Sequence, residues 1–201
     1  MKPDPALDSI ALSHGQVRWL LSDVLDLAEG SDSTFDSYLK FLRRNGVPFS
    51  SGETPGRPGF NVVYQFHHLM EVVLALALRR QAILKGDVVG LLVSMRDELR
   101  PLLSRAWLER ESGLGARVSV EIDGSKLPHA SGLWLDLGLR YNELGVLSTT
   151  GPKLLGPKEA AKILFTSNLP IYVRDPIKIS DLAANVVEAA PEAPEIRRGP
   201  R

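Results

Sequence analysis

Residues 66–78 read Phe-His-His-Leu-Met-Glu-Val-Val-Leu-Ala-Leu-Ala-Leu, and that run limits the fold more than any other part of the chain. Phe66, Leu69, Met70, Val73, Leu74 and Ala77 recur at helical spacing. Leu76 and Leu78 widen the stripe until it nearly encircles the helix. A helix that is apolar almost all round must be surrounded by other elements. His67, His68 and Glu71 interrupt the run, and it is shorter than the roughly 20 residues that a bilayer crossing needs. The sequence therefore predicts a buried helix in a globular core.

The upstream sequence supplies elements to cover that helix. Ser13 and Gln16 have the spacing of a capping box, and Val17, Leu20, Leu21, Val24, Leu25 and Ala28 then keep the helical period up to Gly30. Ser33 and Asp36 repeat the start signal. Phe35, Tyr38, Leu39 and Leu42 form the stripe of this second helix, and Gly46 stops it. Residues 47–59 contain Pro48, Gly52, Pro55, Gly56, Pro58 and Gly59, which break regular structure. Phe60, Val62 and Tyr64 then alternate as a short strand would. Residues 1–11, rich in Pro and Asp, are expected to be mobile.

Downstream, Asp87 is placed to cap a helix carrying Val88, Leu91, Leu92, Met95 and Leu99. Pro101 suits the first turn of a further short helix through Trp107. The pattern changes at Gly113 and Gly115. Val118, Val120 and Ile122 alternate with polar residues, as do Leu133, Leu135, Leu137 and Leu139, which is the signature of half-buried strands. Pro157 opens a helix, residues 171–173 and 177–179 read as strands, and Ser180 is placed to cap a last helix through Ala189. The expected class is α+β: a mainly helical unit over residues 12–112, a small α+β domain over 117–190, and a disordered tail over 191–201.

The chain has 201 residues with 24 basic and 24 acidic side chains, a formal net charge of zero, and no cysteine. Disulfides and thiolate metal sites are excluded, which fits a reducing compartment. No basic stretch leads into an apolar run at the N-terminus, so no secretory signal is expected and the cytoplasm is the expected location. The balanced charge excludes a binder that works by bulk attraction to nucleic acid. Any contact with an anionic polymer must rest on local placement of cations.

Local placement is where a resemblance enters. Tyr38-Leu39-Lys40-Phe41-Leu42-Arg43-Arg44-Asn45-Gly46-Val47-Pro48 has the cadence of the recognition helix and following step in the MerR family of transcription regulators. Gly59-Phe60-Asn61 with Tyr64 is similar to that family's wing, although Asn61 stands where a basic residue is customary. Residues 69–92 resemble its third and fourth helices. Nothing after Gly115 is similar to the long dimerisation helix of well-known members. The resemblance covers a little under half of the chain and implies a winged helix-turn-helix. It implies sequence-dependent binding of double-stranded DNA in transcription control; a homodimer is expected on other grounds, because one module so weakly charged buries too little surface for specificity. Ser37, Lys40, Phe41, Arg43 and Arg44 on the second helix, with Arg57 in the wing, are the expected DNA contacts. The second domain is expected to dimerise, bind a ligand or meet a protein partner.

A different reading competes with this one: a protein-interaction module, antitoxin or adaptor, with the winged helix as scaffold only. The zero net charge favours it. No enzyme is expected, because no Ser/His/Asp or Cys/His arrangement stands out. No cofactor or metal is expected either. Adjacent helical residues such as His67 and His68 point about 100° apart, and no third ligand lies at helical spacing, so they are expected as cap or surface residues. Gly151-Pro152-Lys153 and Gly156-Pro157-Lys158 lack phosphate-loop spacing and read as turns. Glu121, Asp123 and Asp136 read as solvent-facing strand acids.

Overall fold

The computed structural model describes residues 4–24, 32–53, 62–122, 125–142, 146–165 and 175–195. The chain divides into two compact units, Met1–Val93 with Ala184–Arg201, and Ser94–Ala183. The mixture of helices with short antiparallel strands makes the chain α+β.

The first unit opens with α1 (Pro5–Asp8), capped where Asp4 Oδ1 accepts the Ala6 N–H at 2.9 Å. Ile10 and Leu12 are buried, so this end of the chain is packed where mobility was expected. Leu12 and Tyr64 exchange backbone hydrogen bonds of 2.9 and 2.8 Å as an isolated antiparallel bridge. Over the described part of the expected strand, Val62 to Tyr64, this bridge is the pairing that forms; Phe60 and Asn61 lie outside the described residues.

The capping box forms between Ser13 and Gln16: the Ser13 N–H donates to Gln16 Oε1 at 2.9 Å and the Gln16 N–H to Ser13 Oγ at 3.5 Å. It leads into α2 (His14–Val24), which buries Val17, Leu20 and Leu21. The expected extension to Ala28 and the turn at Gly30 lie outside the described residues.

Helix α3 (Asp32–Arg44) starts one residue before Ser33, so Ser33 lies inside the helix and not at its cap. Phe35, Leu39 and Leu42 are buried. Its end is a Schellman closure around Gly46 at φ +84: the Val47 N–H reaches the Leu42 carbonyl at 3.0 Å and the Gly46 N–H the Arg43 carbonyl at 3.3 Å. A cis peptide joins Val47 to Pro48. Val47, Pro48 and Phe49 are buried, with Phe49 edge-on to Tyr64 at 4.9 Å, so the Gly/Pro segment begins as core and not as loop.

Helix α4 (Phe66–Arg80) is the buried helix that the sequence predicts: Leu69, Met70, Val73, Leu74 and Leu78 are wholly enclosed. Helix α5 (Lys85–Ser94) begins before Asp87, which sits in its first turn and does not cap it. No helix among the described residues is long and apolar enough to cross a membrane.

The second unit begins with α6 (Arg96–Leu108), a single helix that contains Pro101, where the sequence suggested a new helix starting at that residue. A 3-10 turn (Gly113–Gly115) follows. Among the described residues the strands form three antiparallel pairs: β1 (Val118–Ile122) with β2 (Ser125–Ala130), β3 (Trp134–Asp136) with β6 (Lys153–Leu155), and β4 (Arg140–Tyr141) with β5 (Leu147–Ser148). Leu133, Leu135, Leu137 and Leu139 are all buried, as their alternation requires.

Helix α7 (Pro157–Phe165) starts on its proline as expected. The expected strand 171–173 lies outside the described residues. At 177–179 there is one bridge, Ile177 to Leu135, and α8 (Ile179–Ala189) starts on Ile179. Ser180 is therefore inside the helix, where its hydroxyl accepts the buried Leu133 N–H at 3.0 Å.

Residues 191–195, expected to be disordered, belong to the first unit. Ala190 and Ala193 are buried, and the Gln16 side-chain amide donates to the Ala193 carbonyl at 3.2 Å. The unit division falls between Val93 and Ser94, ahead of the glycine break at 113–115 that the sequence suggested.

Candidate functional site

Helix α3 anchors through Phe35, Leu39 and Leu42, and this fixes which side chains face outward. Ser37, Lys40, Arg43 and Arg44 are exposed, and Phe41 is half-buried. Lys40, Arg43 and Arg44 line one groove of about 300 Å3 together with Phe49 and Val62. Lys40 and Arg44 are one turn apart, where like charges repel by a few tenths of a kcal/mol. The C-terminal half of the helix dipole offsets part of that cost.

Among the described residues no carboxylate lies within ion-pair distance of these three cations. Asp36, an acid earlier on α3, is instead held by Arg18 at 2.8 Å, so the basic end is not neutralised by its own helix. Burial pushes the Tyr64 phenol above its ordinary range, and the nearby Arg43 charge partly opposes that rise.

Ser37 and Phe41 sit elsewhere. They line a second groove of about 430 Å3 together with Tyr38, Leu76, Arg79 and Lys85. Phe41 stacks on Tyr38 with centroids 6.2 Å apart, and Lys85 Nζ lies 5.3 Å from the Phe41 ring centre. Of the six residues singled out in the sequence, the fold brings Lys40, Arg43 and Arg44 together and puts Ser37 and Phe41 beside a neighbouring hollow. Arg57 lies outside the described residues.

The sequence missed a third cluster. His68 is buried and caps α4, its Nδ1 accepting the Gln65 N–H at 3.1 Å, in accord with its reading as a cap residue. The rings of His67 and His68 nevertheless converge, and Glu53 closes on both. Glu53 lies 14 positions before His67, beyond the reach of any search at helical spacing. The one local signal was Gln65 followed three residues later by His68, the spacing of a capping box.

Of the acids considered in the sequence, Asp123 and the side chain of Glu121 lie outside what is described. Asp136 Oδ1 accepts the Gly138 N–H at 2.7 Å, and His14 Nδ1 lies 3.3 Å from the Tyr64 hydroxyl. Lys153 opens β6, and Pro157 and Lys158 lie in α7, so these three are not the turn residues that the sequence suggested. No protein-family model, curated protein or solved structure matches the chain.

Proposed function

We propose that this protein binds duplex DNA as a transcriptional regulator, with α2 and α3 acting as a helix-turn-helix and α3 entering the major groove. The observation that carries this reading is the cluster of Lys40, Arg43 and Arg44. Three exposed cations converge on one groove, without a carboxylate partner among the described residues, on a helix whose opposite face is locked into the core. Unpaired cations held at fixed spacing suit a ladder of phosphates, and the helix that carries them suits a groove. A dimer on two half-sites about one helical turn apart supplies the buried surface that one weakly charged unit lacks.

The test is the salt dependence of DNA affinity for Lys40→Ala, Arg43→Ala and Arg44→Ala. Each lost phosphate contact flattens the slope of log affinity against log salt by about 0.9. An unchanged slope in all three variants removes α3 from the interface.

One observation favours a second reading, a protein-interaction module. The groove built from Tyr38, Phe41 and Leu76 is largely apolar, and the chain has no net charge. On that reading Phe41→Ala abolishes partner binding while the three cation variants leave it intact.

A further inference from the structure

We propose that Glu53, His67 and His68 form a binding site for one divalent transition-metal ion of the zinc class. The Nε2 atoms of His67 and His68 are 3.0 Å apart, and Glu53 Oε1 lies 3.8 Å from the first and 3.6 Å from the second. A point equidistant from all three is about 2.0 Å from each, which is the length of zinc–imidazole and zinc–carboxylate bonds. Adjacent helical residues ordinarily diverge, but these two occupy the first turn of α4, and their rings tilt together with centroids 4.0 Å apart.

The carboxylate is oriented as a ligand needs to be. Glu53 Oε2 accepts both the backbone N–H and the hydroxyl of Ser50 at 2.9 Å, which turns Oε1 toward the imidazoles. Two nitrogens and one oxygen suit zinc-class ions, whereas magnesium and calcium take oxygen ligands. The side chains of His67 and Glu53 are 25% and 30% exposed, so a water can complete the coordination. The ion ties the Ser50–Glu53 turn to the start of α4.

Loading has a definite proton requirement. With Nδ1 of His68 accepting the Gln65 N–H, the neutral ring carries its proton on Nε2. A metal needs the Nε2 lone pair, so that proton leaves, Nδ1 takes one up, and the hydrogen bond to Gln65 opens. The hydrogen bonds of His68 to Gln65 and to His67 Nε2 are thus exchanged for two imidazole–metal bonds and one carboxylate–metal bond.

The experiment uses the full, tag-free chain, stripped with a chelator and titrated with zinc, cobalt(II) and magnesium ions. The expected result is one zinc per chain, a raised thermal midpoint with zinc but not with magnesium, and visible ligand-field bands with cobalt. His67→Gln and Glu53→Gln are partly exposed, so they keep the fold, and each weakens zinc binding by at least about tenfold. His14→Gln leaves it unchanged. His68→Gln also removes the α4 cap, and is read only after circular dichroism shows native helix content. Zinc affinity unchanged in both His67→Gln and Glu53→Gln, or equal midpoint shifts with zinc and magnesium, overturns the site.

Discussion

Gly132 and Ser180 offer a quantitative check on how the second unit is held together. Gly132 adopts φ +84, and a Cβ built there collides with Ser180 Oγ. That hydroxyl accepts the Leu133 N–H at 3.0 Å, and the Ser180 N–H returns to the Leu133 carbonyl at 3.1 Å. Gly132→Ala therefore carries two penalties. A side chain in the left-handed region costs about 1–2 kcal/mol. Displacing the hydroxyl leaves a buried backbone N–H unpaired, which costs about 1–3 kcal/mol more. The expected total is about 2–5 kcal/mol, read as a lowered urea midpoint at unchanged slope. Ser180→Ala alone leaves the same N–H unpaired, at about 1–3 kcal/mol. Because both changes damage one hydrogen bond, the double variant is expected to lose about 1–3 kcal/mol less than the sum of the singles. Additivity within about 0.5 kcal/mol refutes the reasoning, because it means that the clash is relieved without moving the Ser180 hydroxyl.

Two further outcomes follow from single groups in the first unit. Ala82 holds φ 61 at the end of α4, where the Ala82 and Ile83 N–H groups return to Arg79 and Leu78 at 3.0 and 3.3 Å. Glycine fits that closure without strain, so Ala82→Gly is expected to stabilise by about 0.5–1 kcal/mol after its extra chain entropy, and a lowered urea midpoint refutes this. Burial pushes the Tyr38 phenol up to about 12, against a smaller opposing pull from Arg79. A raised folded value gives stability that is complete below the unfolded value near 10 and is lost as pH rises toward 12. Tyr38→Phe removes that loss. The stability difference between wild type and variant is expected to shift by up to about 1 kcal/mol between about pH 9 and 11, discounted because the ring is partly exposed. Parallel denaturation curves at the two pH values refute it.

What was legible in the sequence was whatever one segment decides for itself. The nearly all-round apolar surface of residues 66–78 could only be a buried helix, and the strict alternation of Leu133 through Leu139 could only face a core. Ser13 and Gln16 needed three residues to declare a cap. What was illegible depended on distant partners. Tyr64 carries a strand-like pattern, yet among the described residues its ladder partner is Leu12 alone, and one bridge forms there. Trp134 pairs with Leu155 and Leu135 with Leu154, a register that neither segment encodes alone. The same holds at the candidate sites. Exposure of Lys40, Arg43 and Arg44 follows from the period of α3, whereas the displacement of Phe41 into another hollow depends on Tyr38 and on Lys85. Glu53 meets His67 and His68 only because the chain returns.

The unit division carries this furthest. Helix α6 has the same periodicity as the helices before it, so local pattern assigns it to the first unit, but it packs on β6 and belongs with the strands. Residues 191–195 have the composition of a tail, yet Ala193 among them is buried, and they join the first unit with Val186 and Ala189 of α8. A cut after Glu111 would thus err twice. It would keep Leu99, Leu103 and Ala106 without the strands that their unit contains, and it would remove the C-terminal residues that complete the first unit. Periodicity reports which face of an element is covered, and never by which element. The DNA reading is therefore to be tested on the intact chain, where loss of binding in Lys40→Ala, Arg43→Ala or Arg44→Ala cannot be mistaken for loss of a fold that needs both ends.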